Sequence, residues 1–107
     1  MRSHTLKIML CLLLSLIISR IEANTNNYSI SGRISDERTG SPLPGASILI
    51  KGTYLWAVSD QKGEFTIQGI QEGKYQLEVS FLGYVPATVP VNVNNSIKGL
   101  KIQLKEN

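Results

Sequence analysis

The stretch "KYQLEVSFL", Lys74–Leu82, decides the fold class. Tyr75, Leu77, Val79 and Phe81 alternate with Gln76, Glu78 and Ser80. A period of two sends alternate side chains to opposite faces, so this is a strand with one face in a core and one in water. "QEG", Gln71–Gly73, turns the chain before it, and Gly83 marks a bend after it.

The same period recurs in both directions. Downstream, Val85–Val93 puts Val85, Ala87, Val89, Val91 and Val93 on one face and Pro86 and Pro90 on the other. Proline cannot donate to a ladder, so this segment is expected at a sheet edge or at a bulge. "NNS", Asn94–Ser96, turns the chain, and Lys98–Lys105 sets Leu100, Ile102 and Leu104 against Lys101, Gln103 and Lys105. Upstream, Glu64–Gln68, Tyr54–Ser59, Ala46–Lys51 and Tyr28–Ser35 read as four more strands. Within Tyr28–Ser35, Ile30 and Ile34 share a face opposite Ser29, Ser31 and Arg33. "DERTGSPLPG", Asp36–Gly45, is dense in turn residues, and its two prolines exclude a central strand. Seven short strands at regular spacing predict an all-β sandwich with Greek-key connections, its two sheets burying their apolar faces together.

The N-terminus has a different character. Arg2, His4 and Lys7 precede the apolar run "IMLCLLLSLII", Ile8–Ile18, and a polar stretch ends in "IEA", Ile21–Ala23. This is the layout of a secretory signal peptide, 1–23, with Ala23 as cleavage residue. The run is shorter than the roughly 20 residues a spanning helix needs. A retained N-terminal anchor helix is the alternative. Leu10 before Cys11 is not the small residue a lipid-anchor site requires. The domain is then 24–107, opening on the polar entry "NTNN", Asn24–Asn27.

Removing 1–23 changes the chemistry available. Arg2, Lys7, Arg20 and Glu22 carry +2 of the chain's net +3, which leaves +1. No basic cluster remains that would suggest nucleic acid. The only Cys and the only His leave as well. Without them there is no disulfide, no thiol nucleophile and no imidazole base or zinc ligand. The seven carboxylates left, Asp36, Glu37, Asp60, Glu64, Glu72, Glu78 and Glu106, fall mostly in predicted turns or on solvent faces. No pair of them is placed to face one cleft, as glycoside hydrolysis requires. No catalytic, cofactor-binding or metal-binding residue is assigned, and the chain is expected not to be an enzyme. A domain of this length buries only ~60–65% of its unfolded surface and depends on one small core.

"GTYLWAVSDQKGEF", Gly52–Phe65, holds the only Trp. Asp60–Glu64 has some of the oxygen spacing of a calcium loop, but Lys62 puts a cation where a ligand is needed. The segment reads instead as a hairpin turn, with Asp60 capping it through its side chain and Gly63 supplying a positive φ. Leu55, Ala57, Phe65 and Ile67 are expected in the core. Tyr54 and Trp56, of opposite parity to Leu55 and Ala57, then form an aromatic patch on the outer face, suited to a sugar ring or a protein partner. Packing across the sheet surface is the structural alternative. Phe81 and Tyr84 are expected to be packing residues.

The turns and strands together resemble a family. G-x-[IV]-x-D at Gly32–Asp36, L-P-G-[AV] at Leu43–Ala46 and K-G-T at Lys51–Thr53 come first. [ST]-D-x-x-G-x-F at Ser59–Phe65, G-x-Y-x-L at Gly73–Leu77 and S-F-x-G-Y at Ser80–Tyr84 follow in order. This set is similar to the carboxypeptidase regulatory-like domain found at the N-terminus of TonB-dependent outer-membrane receptors of the Bacteroidota. The resemblance runs from about Ser29 to Leu104. It implies a seven-stranded prealbumin-like sandwich without catalytic residues. It implies an accessory domain of a nutrient or siderophore receptor, exported to the periplasmic side of the outer membrane. It also implies a protein partner, the receptor plug and barrel or a periplasmic component, and no membrane insertion of the mature domain. Trp56 stands where the family has a small residue, and Lys62 where it has Asp or Asn. The sequence ends at Asn107, where a linker toward the plug would begin, so a truncated or split receptor is expected. The alternative is a free-standing periplasmic or surface module that binds a glycan or a protein.

Overall fold

The computed structural model describes residues 27–107. The expected signal peptide, residues 1–23, and most of the polar entry lie outside the described residues. Seven strands form: β1 (Tyr28–Asp36), β2 (Ser47–Ile50), β3 (Trp56–Val58), β4 (Glu64–Ile70), β5 (Gly73–Ser80), β6 (Ala87–Val93) and β7 (Ile97–Leu104). They make two sheets, ordered β4-β1-β7 and β3-β2-β5-β6. The chain changes sheet after β1, β3, β4 and β6, the connections of a Greek-key sandwich. All neighbouring strands are antiparallel except β1 and β7, the first and last, which run parallel.

The core follows from the alternation. Ile30, Ile34, Phe65, Ile67, Ile70, Ile102 and Leu104 bury from the three-stranded sheet. Ile48, Ile50, Leu77, Val79 and Val93 bury from the four-stranded one, with Leu55 and Ala57 packed at its margin. Leu43 and Ala46 close the end of the sandwich from the β1–β2 loop. Aliphatic side chains of this size contribute about 1.5–3 kcal/mol each when fully buried.

Gly32 sits at a close approach between β1 and β7. The β1–β7 register slips between Ile30↔Ile97 and Gly32↔Leu100, a bulge centred on Lys98–Gly99. It presses the Leu100 carbonyl onto Gly32, where a Cβ would overlap that oxygen and lie 2.9 Å from the Leu100 Cβ.

Several boundaries differ from the sequence reading. The third strand was expected over Tyr54–Ser59 but spans only Trp56–Val58. Thr53 is the reason: its Oγ1 donates to the Ile50 carbonyl (2.8 Å) and accepts from the Leu55 N–H (3.0 Å). That turn holds Tyr54 out of the ladder. The fifth strand stops at Ser80, leaving Leu82 exposed at the corner. Val85 was expected inside and is 44% exposed. Its N–H donates to the Lys105 carbonyl (2.8 Å), which pulls it toward the chain's end before β6 begins. The prolines do mark an edge: β6 pairs with β5 alone, and Pro90 stands opposite Gln76.

Candidate functional site

The outer face of the four-stranded sheet is built in cross-strand rows. Trp56, Leu49, Glu78 and Thr88 lie side by side, one from each strand. Val58, Ser47 and Ser80 make the next row, where the Ser47 and Ser80 hydroxyls hydrogen-bond at 2.8 Å. Exposed apolar side chains lie at the β3 margin, Trp56 65% exposed, Val58 50% and Leu49 36%, and Tyr54 in the preceding turn is 99% exposed. β3 is an edge strand, so nothing of its own sheet flanks Trp56 on that side. Trp56 stands on this face from the strand, while Tyr54 is exposed in the turn before it and outside the ladder.

The loop after β3 is shaped by Asp60. Its Oδ1 accepts from the Lys62 N–H (2.9 Å) and the Glu64 N–H (2.8 Å). The Gly63 N–H donates to the Asp60 carbonyl (2.9 Å). Gly63 has φ +75, and a Cβ there would meet the Ile34 carbonyl oxygen. Its own carbonyl accepts from the Ile34 N–H (2.7 Å), which ties the loop to β1.

Just before it, Ser59 is buried and bonded twice. Its Oγ accepts from the Ala46 N–H (2.8 Å) and donates to the Leu43 carbonyl (2.6 Å). This hydroxyl ties the β1–β2 loop to the end of β3.

The pair that sequence reasoning missed is Asp36 with Tyr84. Asp36 was grouped with the turn carboxylates, yet it ends β1 and is only 6% exposed. Its Oδ1 accepts from the N–H groups of Arg38 (2.8 Å) and Thr39 (2.9 Å), and its Oδ2 accepts from the Tyr84 hydroxyl (2.7 Å). These bonds, the Tyr84 hydroxyl first, hold the carboxyl at about 2, and the same bond raises the phenol to about 12. Both groups close motifs in the sequence, Asp36 that of Gly32–Asp36 and Tyr84 that of Ser80–Tyr84. Tyr84 also stacks obliquely on Phe81, with ring centroids 5.5 Å apart, as its packing role requires. The pair locks the end of β1 to the β5–β6 corner.

Among the described residues, no three His, Cys, Asp or Glu side chains come together as a metal site. No helix there is long and apolar enough to cross a membrane.

The CarboxypepD_reg-like domain model matches residues 30–107, most of the chain. The chain belongs to this family. In this member, Gly32, Asp36, Asp60, Gly63 and Tyr84 make the turns and locks of the two-sheet sandwich. The chain is similar to the TonB-dependent receptor SusC of Bacteroides thetaiotaomicron, 33% identical over 85 residues, 79% of this chain and 8% of the receptor. It is also similar to the TonB-dependent receptor P3 of Formosa agariphila, 29% identical over 102 residues, 95% of this chain and 10% of that one. The chain therefore spans a tenth or less of the relatives' length. Among solved structures, a type II cohesin–X-dockerin complex of Acetivibrio cellulolyticus aligns with TM-score 0.64 and 25% identity, covering 74% of this chain and 58% of that one.

Proposed function

We propose that this CarboxypepD_reg-like domain is a non-catalytic, exported docking module. It acts on the periplasmic side of an outer membrane, as the accessory domain of a TonB-dependent receptor for nutrient or siderophore uptake. Its partner is a protein, either the receptor's plug and barrel or a periplasmic component. The observation that carries this reading is the exposed apolar row of Trp56, Val58 and Leu49 on one sheet face, with Tyr54 exposed in the adjoining turn. Grouped exposed side chains of this kind mark interaction surfaces, and aromatic residues supply most of the contact energy at such sites. Similarity to receptor domains supplies the setting.

The test is capture from a periplasmic and outer-membrane extract by the wild type and by Trp56→Ala, with the captured proteins identified by mass. A receptor or periplasmic component held by the wild type and lost in the variant supports the proposal. The same proteins held equally by both would refute the role of this face. A glycan is the second reading, favoured by the exposed Trp56 and Tyr54 rings. Quenching or enhancement of Trp56 fluorescence by an oligosaccharide, with no protein captured, would select it.

A further inference from the structure

A second surface lies on the four-stranded sheet where β2 ends. β2 and β5 run side by side until the Lys51 N–H donates to the Gln76 carbonyl (2.9 Å). On the other side of β5, Pro90 of β6 stands opposite Gln76. Lys51, Gln76 and Pro90 therefore form one row across three strands. Lys74 and Asn92 form the next row, on β5 and β6 alone, because the chain turns away from β2 at Gly52, φ +81. A groove of about 620 Å³ covers both rows, with Lys51, Lys74, Gln76, Asn92 and Pro90 in its lining. All five are exposed. Gly52 keeps the groove open on the β2 side, since nothing lies within 4 Å of where a Cβ would stand.

The groove crosses the strands, and this restricts what can fill it. An extended peptide gains affinity by adding its backbone to a free sheet edge. Here β5, the middle strand of the floor, is paired with β6 along the whole groove and with β2 as far as Gln76. Most of the backbone beneath the groove is already bonded, so recognition falls to the ends of side chains. Lys51 and Lys74 offer ammonium groups on neighbouring rows. Gln76 and Asn92 each offer an amide donor and a carbonyl acceptor. A hydroxyl group, itself both donor and acceptor, satisfies that combination. A bare phosphate or sulfate accepts only, and would leave the two carboxamide oxygens unanswered. Pro90 adds an apolar ring. No carboxylate lines the groove. Glu78 stands one row further along, between Leu49 and Thr88.

We propose that this groove binds an acidic saccharide, a short run of uronate rings lying across β2, β5 and β6. Its carboxylates meet Lys51 and Lys74. Its ring hydroxyls exchange hydrogen bonds with the Gln76 and Asn92 carboxamides, and a C–H face of one ring rests on Pro90. Charge complementarity selects a uronate over a neutral sugar. The carboxamides select it over a polyanion without hydroxyls. Both ammonium groups are exposed, so salt screens their attraction. The site goes beyond the docking reading and uses neither Trp56 nor Tyr54.

The test titrates tetragalacturonate, which is α-linked, and tetramannuronate, which is β-linked, into the ¹⁵N-labelled protein and follows amide shifts. Saturable shifts at Lys74, Gln76 and Asn92 with at least one of them, half-complete at about 1 mM, are expected. Added salt should weaken them. Maltotetraose, which has no charge, and tetraglutamate, which has no hydroxyls, should each bind at least ~10-fold more weakly. Lys51→Gln with Lys74→Gln should weaken uronate binding at least ~10-fold, with amide shifts away from the groove unchanged as the check on folding. Gln76→Ala with Asn92→Ala should bring the uronate down to the level of tetraglutamate. Trp56→Ala should bind as the wild type does. Equal binding of tetraglutamate by the wild type would overturn the proposal, since charge alone would then suffice. Equal binding of maltotetraose would overturn it as well, since the lysines would then read nothing. No saturable shift with either uronate, or shifts centred on Trp56 instead of Lys74, would overturn it equally.

Discussion

Replacing Ser59 by Ala removes one oxygen atom, yet it should be among the more damaging single changes in this domain. The hydroxyl serves two buried backbone groups, accepting from Ala46 N–H and donating to Leu43 C=O. Ser59 is 5% exposed, Leu43 6% and Ala46 0%, so water does not reach either group freely. Neither backbone group has another hydrogen-bond partner among the described loop and turn bonds. An orphaned buried group costs about 1–3 kcal/mol. Two of them give a loss of about 2–4 kcal/mol after partial relaxation of the loop. A domain this small has a total stability of about 4–12 kcal/mol, so a sixth or more of it is at stake. At about 4–8 °C per kcal/mol, the melting temperature should fall by about 8–32 °C. Urea unfolding followed by far-ultraviolet circular dichroism measures it, with the slope held constant as the check that only stability has changed. Ser47→Ala is the control, because the Ser47–Ser80 hydroxyl pair is exposed and should matter by less than about 0.5 kcal/mol. If Ser59→Ala and Ser47→Ala unfold at the same urea concentration with equal slopes, the Ser59 hydroxyl is not satisfying buried groups and the reasoning fails.

Gly32→Ala should destabilise by about 1–3 kcal/mol, because a methyl group there forces β1 and β7 apart at Leu100; calorimetry showing an unchanged melting temperature would remove the close approach as the reason for glycine. Asp36 contributes stability that is complete above its unfolded value of 3.8 and is lost as pH falls toward about 2. Tyr84 mirrors it: its contribution is complete below 10 and is lost as pH rises toward about 12. In Tyr84→Phe the alkaline loss should vanish and the acid loss should shrink, as read from melting temperature against pH; an unchanged profile would separate the two groups. Trp56→Ala should change stability by less than about 0.5 kcal/mol, since the ring is mostly exposed; a larger loss by urea titration would make Trp56 a packing residue and weaken the docking proposal.

The strands were legible because each carries its own period. Tyr75, Leu77 and Val79 announce their faces without reference to any other segment, and Pro90 announces an edge. What was not legible depends on two distant segments meeting. Asp36 looks like any turn carboxylate until Tyr84, 48 residues away, delivers its hydroxyl. Thr53 shortens β3 by bonding Ile50 and Leu55 at once, and a single-residue propensity does not register that competition. Val85 follows the alternation of its strand and still faces water, because the Lys105 carbonyl holds its backbone elsewhere. Gly32 gave no sign of its purpose, since the bulge that presses on it lies in β7. The exposure of Trp56 followed from parity, while that of Tyr54 comes from the turn before the strand. The groove over Lys51 and Lys74 was not legible, because it joins side chains of three strands at the point where β2 turns away.

The parallel pairing of β1 and β7 has a mechanical consequence. Tyr28 and Leu104 lie at opposite ends of that ladder, with Ile30↔Ile97 at one end and Asp36↔Leu104 at the other. A pull that separates Tyr28 from Leu104 slides the two strands past each other, so their rungs share the load. An antiparallel pair pulled from adjacent ends would instead open one rung at a time. Rupture under force is set by the unfolding rate rather than by equilibrium stability. A domain of modest thermodynamic stability can therefore serve as a stiff link in a chain under tension, with Gly32 and the Leu100 bulge as the point where that ladder is least regular.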